Sequence, residues 1–192
     1  DFDIRYSAVG AIRSWLYLEL GIQYGTIPYV TSALTDVDAV KNQANYPRLS
    51  FAALLDTLTA FTENLPAKLP FPAGTTLLTT IDGYATDKFF IPIPLLLGDL
   101  YLWKGDYTRA ATYYHVMMDY SNTLYPAMNS EQFYETYKVA YTANINGANW
   151  SNIFVQPYGE RYSNYEIMWD LPFADDFAPE NPFIKLFYNQ AG

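Results

Sequence analysis

The sequence predicts an all-α fold of helical hairpins connected by long irregular loops. The pattern L-G-x-x-Y occurs twice, at residues 20–24 and 97–101, and the second copy is followed by Ala110 and Tyr114. In addition, apolar residues recur every three or four positions in four separate segments, which is the period of one face of a helix. Both observations favour helices that pack in pairs and present loops.

The second copy has the spacing of a tetratricopeptide helix pair, whose return helix carries an A-x3-F element. In that arrangement we expect Gly98 to allow close packing of the return helix and Tyr101 to fill the groove. Ala110 and Tyr114 should face them across the turn at 104–106. We predict one domain over 1–192, with a tetratricopeptide-like core at 6–121 and a loop-rich aromatic segment at 122–192.

The first helix is predicted from Tyr6 to about Tyr24, because an apolar stripe recurs there at helical spacing without an interrupting proline. The stripe consists of Val9, Ile12, Leu16 and Leu20. Residues 25–49 then carry prolines, asparagines and aspartates, which predicts a long irregular loop.

Ser50 is a good N-cap for the second helix, and prolines at 66 and 70 forbid its continuation. Its expected apolar stripe is Leu54, Leu55, Leu58, Phe61 and Leu65. A connection rich in Pro, Gly and Thr follows over 66–93. Within it, residues 89–91 are expected to be extended, since Pro92 biases the preceding residue away from helix.

The third and fourth helices form the predicted hairpin. Pro94 suits a first helical turn, where its missing N–H would be unpaired anyway, and Gly105 should terminate the third helix. The residues expected to bury one side of this helix are Leu96, Leu97, Leu100 and Trp103. The fourth helix is predicted over 107–120, and its inward residues should be Ala110, Ala111, Tyr114, Met117 and Met118.

After residue 122 the periodic apolar pattern weakens. A short helix is predicted over 131–141, an extended piece over 166–171 and a helix start over 181–187.

Charge and composition exclude several classes of function. Eleven basic and twenty acidic residues give a net charge of −9, which repels polyanions, so a nucleic-acid partner is not expected. Cysteine is absent, which removes thiolate chemistry from this segment. The longest apolar run, 89–97, is too short to span a bilayer.

A catalytic role is not expected, because the only histidine is His115 and the common nucleophile, zinc and phosphate-binding motifs are missing. No cofactor or metal is predicted. Paired carboxylates can still hydrolyse glycosides, so a glycosidase remains an alternative. The candidate carboxylates are Glu160, Glu166, Asp170, Asp175 and Asp176.

Aromatic residues make up 18% of the chain, with 19 tyrosines, and many of them fall beside amides in a stretch without helical or strand period. Sugar rings stack on aromatic faces, while Asn and Arg side chains form hydrogen bonds with the sugar hydroxyls. The predicted ligand-binding residues there are Asn149, Trp150, Asn152, Tyr158, Arg161 and Tyr162, with Tyr29 and Tyr46 as further candidates in the first loop. The alternative is a loop that packs its own rings against the helices.

Four stretches, in order, resemble the SusD/RagB family of outer-membrane glycan-binding lipoproteins. Residues 11–30 are similar to that family's R-A-x-x-Y-x-x-L helix and its Y-G-x-x-P exit, and residues 54–66 to its D-L-x-x-A-x-x-x-L-P helix. Residues 95–110 resemble L-L-A-x-x-Y-L-x-x-G-D-Y-x-x-A, and residues 164–169 resemble N-x-E-x-I-F.

The resemblance implies a SusD-like protein that captures oligosaccharides or polysaccharides at the cell surface and delivers them to a TonB-dependent outer-membrane transporter. It also implies a longer protein, lipid-anchored through an N-terminal region that precedes this chain. The alternatives are a tetratricopeptide-type module that binds a protein partner and the glycosidase.

Overall fold

The computed structural model describes residues 2–33, 44, 46–68, 80–81, 84–86 and 89–124, and these residues are mostly helical. The helices are α1 (Phe2–Tyr24), α2 (Phe51–Glu63), α3 (Ile93–Trp103) and α4 (Tyr107–Leu124). The strands, of two residues each, are β1 (Ile27–Pro28), β2 (Arg48–Leu49), β3 (Thr80–Ile81) and β4 (Tyr84–Ala85). The all-α prediction is therefore confirmed for this part of the chain.

Helix α1 forms where the sequence predicts it and begins four residues earlier, but it packs through the opposite face. Its buried positions are mostly small: Ser7, Ala8, Gly10, Ala11, Ser14, Leu18 and Gly21. The apolar stripe that identified the helix faces outward. We define the outer stripe of α1 as its exposed apolar residues Phe2, Tyr6, Val9, Ile12, Leu16, Leu20 and Tyr24.

The small face of α1 packs because it allows α2 to approach closely. A β-carbon on Gly10 would lie 2.7 Å from Leu65 Cδ2, and one on Gly21 would lie 2.7 Å from Leu54 Cδ2. The hydroxyl of Thr62 also donates a buried 2.9 Å hydrogen bond to the Ser14 hydroxyl. Close approach and a satisfied polar pair thus replace the bulky stripe that periodicity alone would have placed inside.

Helix α2 confirms its predicted cap and most of its predicted stripe. Ser50 Oγ accepts a hydrogen bond from the Ala53 amide at 3.4 Å. Phe61 is half-buried. The other stripe residues are buried: Leu54, Leu55, Leu58 and Leu65.

The two long connections contain short antiparallel ladders that the sequence did not reveal. Ile27 pairs with Leu49 and Pro28 with Arg48, so the loop predicted over 25–49 is closed at its base. Residues 80–81 pair with 84–85 in a small hairpin. The extended prediction for 89–91 is wrong at Phe89, whose amide donates to Thr86 O at 3.1 Å in a turn.

Helices α3 and α4 pack against each other, with Pro94 in the first turn of α3 and Gly105, at a φ of 77°, just after its end. Asp106 then caps α4 by accepting from the Arg109 amide at 3.1 Å. Of the residues predicted to face inward on the two helices, most are buried or half-buried. Three are wrong, since Ala111 is exposed, Met118 is 39% exposed and Trp103 is half exposed with its edge against Phe51.

Successive helices pack in chain order, α1 on α2, α2 on α3 and α3 on α4, with a further contact between α1 and α3. The centre of the core is formed by leucines and isoleucines of α2 and α3 with at most 1% exposure. They are Leu54, Leu58, Ile93, Leu96, Leu97 and Leu100.

Candidate functional site

Most of the predicted ligand-binding residues lie outside the described part of the chain. These are Asn149, Trp150, Asn152, Tyr158, Arg161 and Tyr162, and the alternative carboxylates at 160, 166, 170, 175 and 176 lie outside it as well. Tyr29 and Tyr46 are described, and both are half-buried.

Tyr29 is held in an aromatic cluster at the base of the first loop. Its ring meets the ring of Tyr17 edge-on, with centroids 4.8 Å apart and planes at 63°. Its hydroxyl accepts from the Arg13 guanidinium at 3.5 Å, and that guanidinium lies 4.1 Å over the ring of Phe61. Tyr29 therefore packs on Tyr17 of α1 through its ring and touches a cation through its hydroxyl.

Backbone bonds place Tyr29 and Tyr46 on neighbouring segments. The Tyr29 amide donates to Pro47 O at 3.5 Å, immediately after Tyr46 in the chain. The Tyr17 hydroxyl accepts from the Val30 amide at 3.0 Å and donates to Val30 O at 3.1 Å. The loop base is thus fixed to α1 by side chains. For Tyr29, this corresponds to the alternative in which a loop packs its own rings against the helices.

Arg13 carries a donor that this cluster does not use. Its Nε is buried and finds no acceptor among the described residues. A guanidinium offers five donors, so Arg13 and the Tyr29 hydroxyl supply polar groups beside two aromatic rings. Such polar groups beside aromatic rings could bind a hydroxylated ligand. The positions of the rings themselves are explained by their packing within the protein.

A second polar cluster joins α2, α3 and α4. Glu63 Oε1 accepts a 2.5 Å hydrogen bond from the Tyr101 hydroxyl and a 3.4 Å bond from the Tyr113 hydroxyl. The two tyrosine rings stack at 5.6 Å with planes 9° apart. Arg109 donates to the Tyr101 hydroxyl at 3.1 Å. The Lys104–Asp56 ion pair, 2.7 Å, adds a further link between α2 and the end of α3.

The electrostatics of this cluster favour a structural role. Burial, and then the hydrogen bond to Glu63, raise the pKa of Tyr101, while Arg109 opposes the shift. Burial and the charge of Glu63 likewise raise the pKa of Tyr113. Both phenols therefore stay protonated and act as donors, so neither serves as a general base near neutral pH. Glu63 was not singled out from the sequence, although a glutamate at the last position of a helix with an apolar stripe is a recognisable signal.

Asp99 and Tyr114 form a third polar contact, between α3 and α4. The Tyr114 hydroxyl donates to Asp99 Oδ1 at 2.6 Å. Burial raises the pKa of Asp99 and the hydrogen bond from Tyr114 partly opposes this shift. Burial, followed by the bond to Asp99, also raises the pKa of Tyr114. The phenol is the donor, and the carboxylate is partly desolvated.

His115 is exposed on α4. In the described ranges, no three His, Asp or Glu side chains lie close enough together to bind a metal ion. The described helices include none with the length and apolarity needed to cross a membrane.

Comparison with known proteins gives no match: no protein-family model, no curated protein and no solved structure is similar to this chain. The function proposed below is therefore based on the residues and their geometry.

Proposed function

We propose that this protein binds glycans at the cell surface and delivers them to a TonB-dependent outer-membrane transporter. The observation that carries the proposal is the order of four SusD/RagB-like motifs along the sequence. The described motif residues adopt local structures suited to such a scaffold. Helix α1 ends at Tyr24, Gly25 follows with a φ of 71°, and the chain turns into a short strand.

The chemistry of the proposed binding surface comes from the aromatic and amide residues at 144–165. Aromatic faces stack on the apolar C–H faces of sugar rings, and amide and guanidinium groups bind the hydroxyls. Trp150, between Asn149 and Asn152, is the proposed central ring. Tyr29 and Arg13 supply similar groups at the base of the first loop.

The proposal is tested by screening the full-length protein on a glycan array and measuring the affinity of any hit by calorimetry. Trp150→Ala should weaken binding more than tenfold, because losing an aromatic anchor costs about 2 kcal/mol or more. Tyr107→Ala is the matched control, since Tyr107 is an exposed aromatic on α4, and it should leave the affinity unchanged. Absence of any sugar ligand would contradict the proposal. Release of reducing ends from a polysaccharide would favour the glycosidase.

A second candidate is a module that binds a protein partner. The exposed outer stripe of α1 favours it, because a contiguous apolar helix face commonly marks an interaction surface. Affinity for a protein, with no affinity for any sugar, would select this function.

A further inference from the structure

Arg13 is a charged side chain of α1 that uses few of its donors within the described part of the chain. The cations at the turn between α3 and α4, Lys104 and Arg109, each pair with a carboxylate. Arg13 forms no ion pair with any described residue, and its buried Nε has no acceptor there. Of the five N–H donors of a guanidinium, one, on Nη2, bonds to a described residue, through the Tyr29 hydroxyl. Arg13 therefore keeps donors for another acceptor.

The guanidinium of Arg13 is nonetheless held in a fixed position. Its Cζ lies 4.1 Å from the centroid of the Phe61 ring, and Nη2 donates to the Tyr29 hydroxyl at 3.5 Å. Tyr29 is followed by Val30, whose amide and carbonyl both bond to the Tyr17 hydroxyl. Helices α1 and α2 and the loop base thus orient this cation before a ligand arrives, which reduces the ordering cost of binding.

The hydrogen-bonding groups that remain unused at Arg13 and Tyr29 are donors. A guanidinium has no acceptor atom. The Tyr29 oxygen accepts from Arg13, so the proton of this hydroxyl remains available as a donor. A neutral sugar hydroxyl combines a donor with an acceptor, whereas a carboxylate only accepts and pairs with a guanidinium through two parallel bonds. These groups therefore match a carboxylate better than a neutral hydroxyl.

The surroundings of Arg13 allow a sugar to approach it. Arg13 is half-buried, and long basic side chains bury their stems while their terminal nitrogens face water. The rings of Tyr17, Tyr29 and Phe61 are half-buried as well, so each has some surface left on which a sugar ring can stack. A cation without a carboxylate partner also gives an anionic group a local attraction, which the chain as a whole, with a net charge of −9, does not provide.

We propose that Arg13 and Tyr29 bind the carboxylate of a uronic acid residue in the glycan ligand. The Nη atoms of Arg13 donate two parallel bonds to the carboxylate oxygens, and the Tyr29 hydroxyl donates a third. This inference rests on the proposed glycan function and names its substrate class, which is acidic oligosaccharides. Because the net charge repels polyanions, the ligand carries isolated uronic acids in an otherwise neutral chain and is not a polyuronate.

Calorimetry with the full-length protein tests the preference. The probes are neutral oligosaccharides, each paired with a counterpart in which one glucose or galactose is oxidised at C6 to the uronic acid. We expect the acidic member of one pair to bind about tenfold more tightly or better, because hydrogen bonds to charged groups are the stronger ones. Arg13→Gln should abolish this preference and leave binding of the neutral member unchanged. Arg48→Gln is the matched control, since it removes the same charge from an exposed position on β2, and it should retain the preference.

Two further measurements keep the test valid if Arg13→Gln does not fold. Tyr29→Phe keeps the ring and removes one donor, so it should reduce the preference for the acidic member without abolishing it. In heteronuclear NMR of the wild-type protein, the Nε–H signal of Arg13 should shift when the acidic oligosaccharide is added. The neutral counterpart should leave that signal in place.

The possible failures are distinguishable. Equal affinities for the neutral and acidic members would overturn this inference and leave the glycan function intact, whereas absence of any sugar ligand would contradict both. A preference that survives Arg13→Gln would also overturn it, since the carboxylate would then bind elsewhere. Binding of an acidic peptide at Arg13, without affinity for any sugar acid, would overturn it in favour of a protein partner.

Discussion

The ring of Tyr114 occupies the space that a β-carbon on Gly98 would need. An ideal β-carbon there would lie 2.6 Å from Tyr114 Cδ1 and 2.9 Å from its Cζ. The Tyr114 hydroxyl then reaches Asp99, the next residue of α3. One tyrosine of α4 thus packs against the backbone of α3 with its ring and bonds to α3 with its hydroxyl.

Gly98→Ala is therefore expected to destabilise the protein or leave its stability unchanged, although the same change in an open helix stabilises by about 1 kcal/mol. Overpacking against the ring costs about 1 to 3 kcal/mol and opposes the gain in helix propensity. Gly98→Val should be clearly destabilising. Urea titration measures the free energy of unfolding of each variant and shows whether the substitution stabilises or destabilises the protein.

A double-mutant cycle isolates the contact. With Tyr114→Ala in place, the obstruction is gone, so Gly98→Ala should become stabilising by about 1 kcal/mol. Equal effects of Gly98→Ala in both backgrounds would contradict the close approach.

The second prediction concerns Asp99 and pH. Because burial raises its pKa in the folded state above the usual 3.8, the folded protein holds a proton that the unfolded chain has already lost. The stability that Asp99 contributes is therefore fully present below pH 3.8 and is lost as the pH rises from there through the raised value. Asp99→Asn removes this loss while its side-chain oxygen can still accept from Tyr114. Its melting temperature relative to wild type should increase between about pH 3.5 and pH 7. If the difference in melting temperature between Asp99→Asn and wild type did not change with pH, the raised pKa of Asp99 would be contradicted.

The repeated L-G-x-x-Y pattern shows what sequence spacing can determine. Both glycines, Gly21 and Gly98, lie where a neighbouring side chain excludes a β-carbon. The tyrosines differ, since Tyr101 is 2% exposed and Tyr24 is 72% exposed. A glycine in a helix can mark close approach by itself, but burial of the tyrosine depends on a following helix, α4, which directly succeeds only the second copy.

Helix α1 shows where periodicity fails. The spacing of Val9, Ile12, Leu16 and Leu20 correctly predicts a helix, yet the face that packs is formed by small residues. The hydrophobic period shows that one face of the helix is apolar. Packing also depends on how closely two helices can approach and on paired polar groups such as the hydrogen bond from Thr62 to Ser14.

The short ladder at Ile27 and Leu49 could not be predicted, because its two strands are only two residues long and far apart in sequence. In the candidate site, the sequence predicts Tyr29 as a ligand-binding residue, whereas its contacts with Tyr17 and Arg13 depend on packing between elements that are far apart in the chain.

The third prediction concerns the Glu63 cluster. Glu63→Gln should destabilise the protein, since it removes the charge that accepts from Tyr101 and Tyr113. Hydrogen bonds to charged groups contribute about 1.5 to 3 kcal/mol. Tyr101→Phe should cost a similar amount. The double variant should lose less than the sum of the two, and strict additivity in denaturant titrations would show that the two groups do not interact.

The last prediction separates Tyr17 of α1 from Tyr29 of the first loop, two tyrosines whose rings contact each other. Tyr17→Phe removes a hydroxyl that both accepts from the Val30 amide and donates to the Val30 carbonyl, at 3.0 and 3.1 Å. Leaving partly buried backbone groups unpaired costs about 1 to 3 kcal/mol, so stability should fall within that range. Tyr29→Phe is the matched control, because among the described residues its hydroxyl accepts one long bond, 3.5 Å, from Arg13, and its cost should be less than half as large. Hydrogen exchange provides the local measurement: the Val30 amide should exchange faster in Tyr17→Phe and at the wild-type rate in Tyr29→Phe. Equal exchange in both variants would show that the Tyr17 hydroxyl does not anchor the loop base to α1.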